Sequence, residues 1–185
     1  MNINPTLQIL FFTNGFLVLS LAMVTPIYAL FAESIGASIA TVGFLAATLF
    51  VGKIAGLLIM SIWGDVAEHK ARLYLWGFSL QVMAWIILIT ADMLWYLFIA
   101  QILTGLSYAL SVPAFRMLVA THLDKGRELY DYATWDLTLA LTGLFGGGLG
   151  ALVVSVYGFQ TLFIILAVFT GFLTIVLWFY RHSIE

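Results

Sequence analysis

Charge is confined to a few short stretches of this chain, and that confinement decides what it can fold into. The first charged residue is Glu33, and residues 34–52, 54–64, 73–91, 93–115 and 137–180 carry none. A helix needs roughly 20 apolar residues to cross the hydrocarbon of a bilayer. The last charge-free stretch is long enough for two crossings, with a turn at Tyr157-Gly158-Phe159-Gln160. Six spans are expected, at about 6–31, 38–63, 71–91, 93–119, 129–155 and 159–181. They make a single all-α, polytopic membrane domain over residues 1–185. The alternation of a barrel strand is absent.

Composition agrees. Charged residues are 9% and apolar residues 63% of the 185, against about 25% and 45–50% in soluble domains. Sixteen charges, seven basic and nine acidic, cannot cover the outside of such a domain, so lipid is the expected surroundings. A net charge of −2 gives no ground for a nucleic-acid partner. With no cysteine, disulfides and thiolate metal sites are excluded. Residues 1–10 lack a basic region and a cleavage site, so the first apolar stretch reads as a retained span rather than a signal peptide.

Orientation follows from the basic residues. Lys70 and Arg72 lie between spans 2 and 3; Arg116, Lys125 and Arg127 lie around the connection of spans 4 and 5; Arg181 follows span 6. The other three connections hold no Lys or Arg. Cytoplasmic loops hold the excess of basic residues, so both termini are expected in the cytoplasm, in a plasma (inner) membrane. Two groups of three spans, divided near residue 95, would then have opposite orientation, as in the inverted repeats of transporters.

Lys53 is the one basic residue far from a span end, about 2 residues or ~3 Å from the middle of span 2. An ammonium there costs about 2.5–3.5 kcal/mol on insertion scales. It reads as an anion or substrate contact, or else as a lysine facing a polar cleft with no ligand. Asp136, about two turns into span 5, is either a partner for it, a proton acceptor, or part of a polar shell at the membrane surface. Asn14, Thr25 and Tyr28 share a face of span 1, and Gln101, Thr104, Tyr108 and Ser111 a face of span 4. Such stripes face a cavity or hydrogen-bond between helices, not lipid. Gly143, Gly147 and Gly150 form a small-residue face on span 5 suited to close helix packing.

These features resemble one half, the N-terminal half, of a major facilitator superfamily transporter. The loop Ser61-Ile62-Trp63-Gly64-Asp65-Val66-Ala67-Glu68-His69-Lys70-Ala71-Arg72 is similar to the family's loop of Gly, three residues, Asp, a basic residue, any residue, Gly and basic residues. Asp65 takes the acidic place and Lys70 and Arg72 the basic end; Ser61, Val66 and Glu68 depart from the pattern. Thr25-Pro26-Ile27-Tyr28, Gly36-Ala37-Ser38 with Val42-Gly43, and Gln101 to Gly105 followed by Pro113 resemble further family features. Gln101 stands where the family often has Arg. Asp124-Lys125-Gly126-Arg127-Glu128 resembles the loop before span 5, and the glycines of span 5 resemble an antiporter motif with Gly148 at the usual proline. The resemblance implies that spans 1, 2, 4 and 5 border a central cavity. It also makes Asp65, Lys70, Arg72, Arg127 and Glu128 candidates for a gating cluster that latches one conformation.

The three histidines, His69, His122 and His182, lie outside the spans, and no phosphate-binding loop is present. No enzyme activity, metal or cofactor is expected. The expected function is a half-size secondary transporter of a small solute by alternating access, working as a homodimer or with another six-helix half. The competing reading is a non-transporting accessory or scaffold subunit, or an isolated half of a longer transporter.

Overall fold

The computed structural model describes residues 5–62, 69–123, 126 and 128–184, and every regular element among them is helical. Helix α1 (Pro5–Val24) passes through a 3-10 turn (Thr25–Ile27) into α2 (Tyr28–Ser34). Pro26 makes that turn, because it has no N–H for the carbonyl one helical turn back. At the end of α2, Gly36 takes φ 93°. Its N–H donates to the Glu33 carbonyl (2.9 Å) and that of Ala37 to the Ala32 carbonyl (3.0 Å), the pattern that closes a helix. Ser38 then accepts from the Thr41 N–H at 3.2 Å and caps α3 (Ile39–Ile62). Helices α4 (Lys70–Ile89), α5 (Leu94–His122) and α6 (Glu128–Ile184) follow. Five stretches are long and apolar enough to cross a membrane: Pro5–Ser34, Ile39–Ile62, Lys70–Ile89, Leu94–His122 and Glu128–Arg181.

Helical geometry in α6 breaks at Gly158 (φ 81°, ψ 170°), inside the turn the sequence marks. The contacts on either side show a reversal. Before it, Trp135 meets Phe11 with ring centroids 5.5 Å apart, and Gly146 and Gly150 lie on Ala22 and Met23. Both numbers rise together along α1. After it, Phe163 meets Phe31 at 4.9 Å, Phe169 meets Phe16 at 5.0 Å, and Leu177 joins the cluster of Leu7 and Leu10. Here the numbers run opposite. The two limbs of α6, residues 128–157 and 159–184, therefore lie antiparallel along the first helix.

The buried side chains form two clusters, one toward each end of the bundle. Leu7, Leu10, Phe11, Tyr74, Phe78, Phe115 and Leu118 occupy one end; Met23, Phe31, Leu45, Trp85, Leu97 and Phe163 occupy the other. The first end also carries Lys70, Arg72, Arg116 and Arg181, and the second carries Glu33 and Asp92 with no described basic residue. We call them the basic and the acidic end.

Lipid tails are as apolar as leucine, so helices in a bilayer adhere through close packing and polar contacts. Two backbone-to-backbone approaches supply this. A Cβ on Gly105 of α5 would overlap the Leu49 carbonyl oxygen and crowd the Lys53 nitrogen of α3; one on Gly52 would overlap the Ile102 carbonyl. A Cβ on Gly150 would overlap the Met23 carbonyl of α1. On the expected small-residue face of span 5, Gly147 touches only Pro26 and Gly143 meets open space. The tight approach falls on Gly146 and Gly150 instead. Helix α3 is otherwise little covered: only Leu45, Gly52 and Gly56 are buried.

Gly105→Ala and Gly150→Ala should each destabilise the bundle by about 1–3 kcal/mol, because the atoms in the way are backbone and cannot swing aside. Gly143→Ala should stay within about 0.5 kcal/mol. Unfolding in detergent micelles reads all three. Equal stability of Gly105→Ala and the wild type would refute the close approach.

Candidate functional site

A cavity of about 320 Å³ opens between α1–α2, α3, α4 and α5 in the half toward the acidic end. Each helix contributes for a local reason. Thr25 and Tyr28, three residues apart across the 3-10 turn at Pro26, both reach the cavity. The Gly52–Gly105 approach brings α3 and α5 together beside Leu49 and Thr104, the lining residues of these helices nearest the middle of the bundle. Trp85 of α4 forms the rear wall; it is 2% exposed and stacks on Phe163 at 6.2 Å.

The lining is mostly apolar, with Leu21, Val24, Val42, Leu49, Phe50 and Leu88 among its side chains. Four polar residues interrupt it, and all four belong to the stripes read from the sequence: Thr25, Tyr28, Gln101 and Thr104. The Tyr28 hydroxyl donates a long bond of 3.5 Å to the Leu97 carbonyl and also meets the side chain of Gln101. The Thr25 hydroxyl donates to the Leu21 carbonyl at 2.8 Å, which leaves its oxygen able to accept. The Trp85 indole N–H has no acceptor among the described residues. An apolar enclosure with a few convergent polar groups is the usual make-up of a small-molecule site, and its volume is at the small end of such sites.

Lys53 and Tyr108 lie one helical turn beyond this cavity, toward the basic end. Lys53 follows Leu49 by four residues and Tyr108 follows Thr104 by four, and such pairs share a helix face. The Lys53 Nζ sits 4.2 Å from the centroid of the Tyr108 ring. Lys53 is half-buried and Tyr108 is 39% exposed. A cation over a ring gains about 0.5–2 kcal/mol, less than the insertion cost of a mid-span ammonium, about 2.5–3.5 kcal/mol. Both side chains keep part of their surface open, and the flexible lysine stem can carry the ammonium toward more polar surroundings.

The other sequence candidates lie elsewhere. Asn14 is 5% exposed and is not part of the cavity wall. Asp136 is exposed on the first limb of α6, and among the described residues no ion pair joins it to Lys53. Lys70 begins α4 and Arg72, two residues further in, is exposed. Glu128 accepts from the Gly126 N–H at 3.1 Å. No ion pair joins Lys70, Arg72 and Glu128 among the described residues. Asp65 and Arg127 of the expected gating cluster lie outside them.

Sequence reasoning missed several residues. Trp85, Leu88 and Phe50 line the cavity, yet nothing in an apolar helix marks which apolar residues face inward. Thr13 and Tyr74 bring their hydroxyls within 3.2 Å across α1 and α4; a lone threonine in the middle of an apolar span gave no distinct signal. Asp131, in the first turn of α6, is 2% exposed and one of its oxygens has no partner among the described residues.

Apolar helices of membrane length around a polar-lined cleft define a multi-pass membrane protein. The chain belongs to the Major Facilitator Superfamily, whose family model matches residues 10–185. It is similar to the Multi-drug resistance efflux pump PmrA of Streptococcus pneumoniae serotype 4 (strain ATCC BAA-334 / TIGR4), with 27% identity over 175 residues, 91% of this chain and 43% of that protein. The protein of the same name from Streptococcus pneumoniae (strain ATCC BAA-255 / R6) matches with the same identity and the same shares. The chain thus spans less than half the length of these relatives.

The Lys53–Tyr108 contact should appear as a coupling energy of about 0.5–2 kcal/mol in a double-mutant cycle of Lys53→Met and Tyr108→Leu. Tyr108→Phe should retain it. Denaturation in micelles gives the four stabilities, and strict additivity would dismiss the contact.

Proposed function

We propose that the chain is one six-helix half of a secondary active transporter, moving a small solute by alternating access. The cavity carries the proposal, because it gathers Thr25, Tyr28, Gln101 and Thr104 into one apolar enclosure. Family membership supports transport, and the name of the two efflux-pump relatives supports outward movement of a small organic molecule.

Two inverted repeats of three helices are supported by the packing partners. If spans 1–3 map onto spans 4–6 in the same order but with opposite orientation, the contact of span 2 with span 4 must mirror that of span 5 with span 1. Gly105 on the Leu49 backbone and Gly150 on the Met23 backbone are such a pair. The reversal at Gly158 supports the sixth crossing. The basic end is the cytoplasmic one on the positive-inside rule, which puts both termini in the cytoplasm of a plasma (inner) membrane.

Six helices wall only one side of a transport pathway. A second copy, related by a two-fold axis along the membrane normal, would complete it with an isologous interface. Another six-helix half would serve equally, and the 43% share of the relatives' length favours a missing complement of that kind. Transport would then proceed by rocking of the halves around a site near the midplane.

In proteoliposomes, a panel of fluorescent solutes differing in charge should reveal a transported one, and Thr104→Trp, which fills the cavity, should lower its rate at least tenfold without loss of fold. Undiminished transport by that variant would reject the cavity as the pathway. Because the chain has no cysteine, orientation can be read from single introduced thiols. Asp92→Cys should react with an impermeant maleimide in intact cells, and Glu128→Cys only after permeabilisation; the reverse pattern would invert the topology.

A further inference from the structure

We infer that the site selects amphipathic organic anions, with the apolar body of the solute in the cavity and a carboxylate or sulfonate on Lys53. This rests on the reading of the cavity as the solute pathway and adds its charge preference.

Three observations meet here. First, Lys53 and Tyr108 continue by one turn the helix faces that bring Leu49 and Thr104 to the cavity, with the ammonium over the Tyr108 ring at 4.2 Å, so a solute seated against Leu49 and Thr104 reaches it by extending one short polar arm along those faces. Second, no described carboxylate neutralises it. Glu33 and Asp92 are at the acidic end, and Glu128, Asp131 and Asp136 lie on α6, which is not among the helices packed on α3. Third, Lys53 is only half-buried and the Tyr108 ring beside it is 39% exposed, so the ring does not enclose the ammonium. The four polar groups of the cavity are hydroxyls and an amide, which carry no charge, so among the described residues Lys53 alone sets the electrostatic sign of the site. A lysine acts toward an anion as a compact point charge, and beside a mostly apolar cavity wall its field is less screened than in water.

The test uses the full chain in phosphatidylcholine nanodiscs with three matched probes: dansylglycine, its neutral amide and the cation dansylcadaverine, with empty nanodiscs as the blank. Energy transfer from tryptophan reads binding. Wild type should bind dansylglycine at least tenfold more tightly than the amide, and dansylcadaverine more weakly than the amide. Lys53→Gln should lower dansylglycine to the affinity of the amide and leave the amide unchanged, which also shows that the variant is folded. Lys53→Arg should restore the preference. Equal affinity for all three probes in wild type, or a preference that survives Lys53→Gln, overturns the anion inference and leaves the cavity standing. Binding of none of the probes overturns both.

Discussion

Two helices pass each other backbone to backbone at Gly52 and Gly105, and much of the molecule depends on that contact. In water, apolar faces would gather α3 against the bundle unaided. In lipid that drive is gone, since tails and leucines are alike. What remains is dispersion, which falls steeply with distance, so a helix is held where its backbone can come nearest. Helix α3, with three buried residues, has little else to hold it. The same contact decides the chemistry above and below it. It brings Leu49 and Thr104 together in the cavity wall, and it sets Lys53 beside Tyr108.

The bundle pairs this contact with a second, at Gly146 and Gly150 against α1. Beside these contacts stands a frame built from aromatic rings: Phe31, Phe163 and Trp85 toward the acidic end, and Phe11, Phe115 and Trp135 toward the basic end. Such pairs are rigid and specific in angle, worth about 0.5–1.5 kcal/mol each beyond the area they bury. Within this frame a few polar atoms stay without partners among the described residues, on Gln81, Trp85, Asp131 and Thr170. Unmet polar groups in a membrane interior are costly, and that of Trp85 belongs to a residue of the cavity wall.

Charge was the legible part of this fold. Ionisable groups are so costly in hydrocarbon that their positions along the chain mark where helices of membrane length can run, and Gly158 with its aromatic neighbours marked the reversal. Polar stripes were legible for the same reason: Thr25, Tyr28, Gln101 and Thr104 had to be turned away from lipid, and they meet in one cavity. The apolar half of the site was not legible. A soluble helix announces its inner face by a change from apolar to polar every 3.6 residues, but a membrane helix is apolar on both faces. Trp85 and Phe50 therefore looked like any other span residue. The glycines misdirected in a related way, because Gly143, Gly147 and Gly150 share a face on paper while the nearest approach of α1 lies over Gly146 and Gly150. Lys53 was conspicuous; that its companion would be Tyr108 on another helix was not.

The turn at Gly158 has a consequence for how the chain sits in a membrane. A single glycine in left-handed conformation joins the two limbs of α6, with no stretch of polar residues between them. Open backbone groups are costly in hydrocarbon, so the bend is the point of α6 that a bilayer surface or a covering neighbour must meet. With so short a joint, the depth of one limb sets the depth of the other.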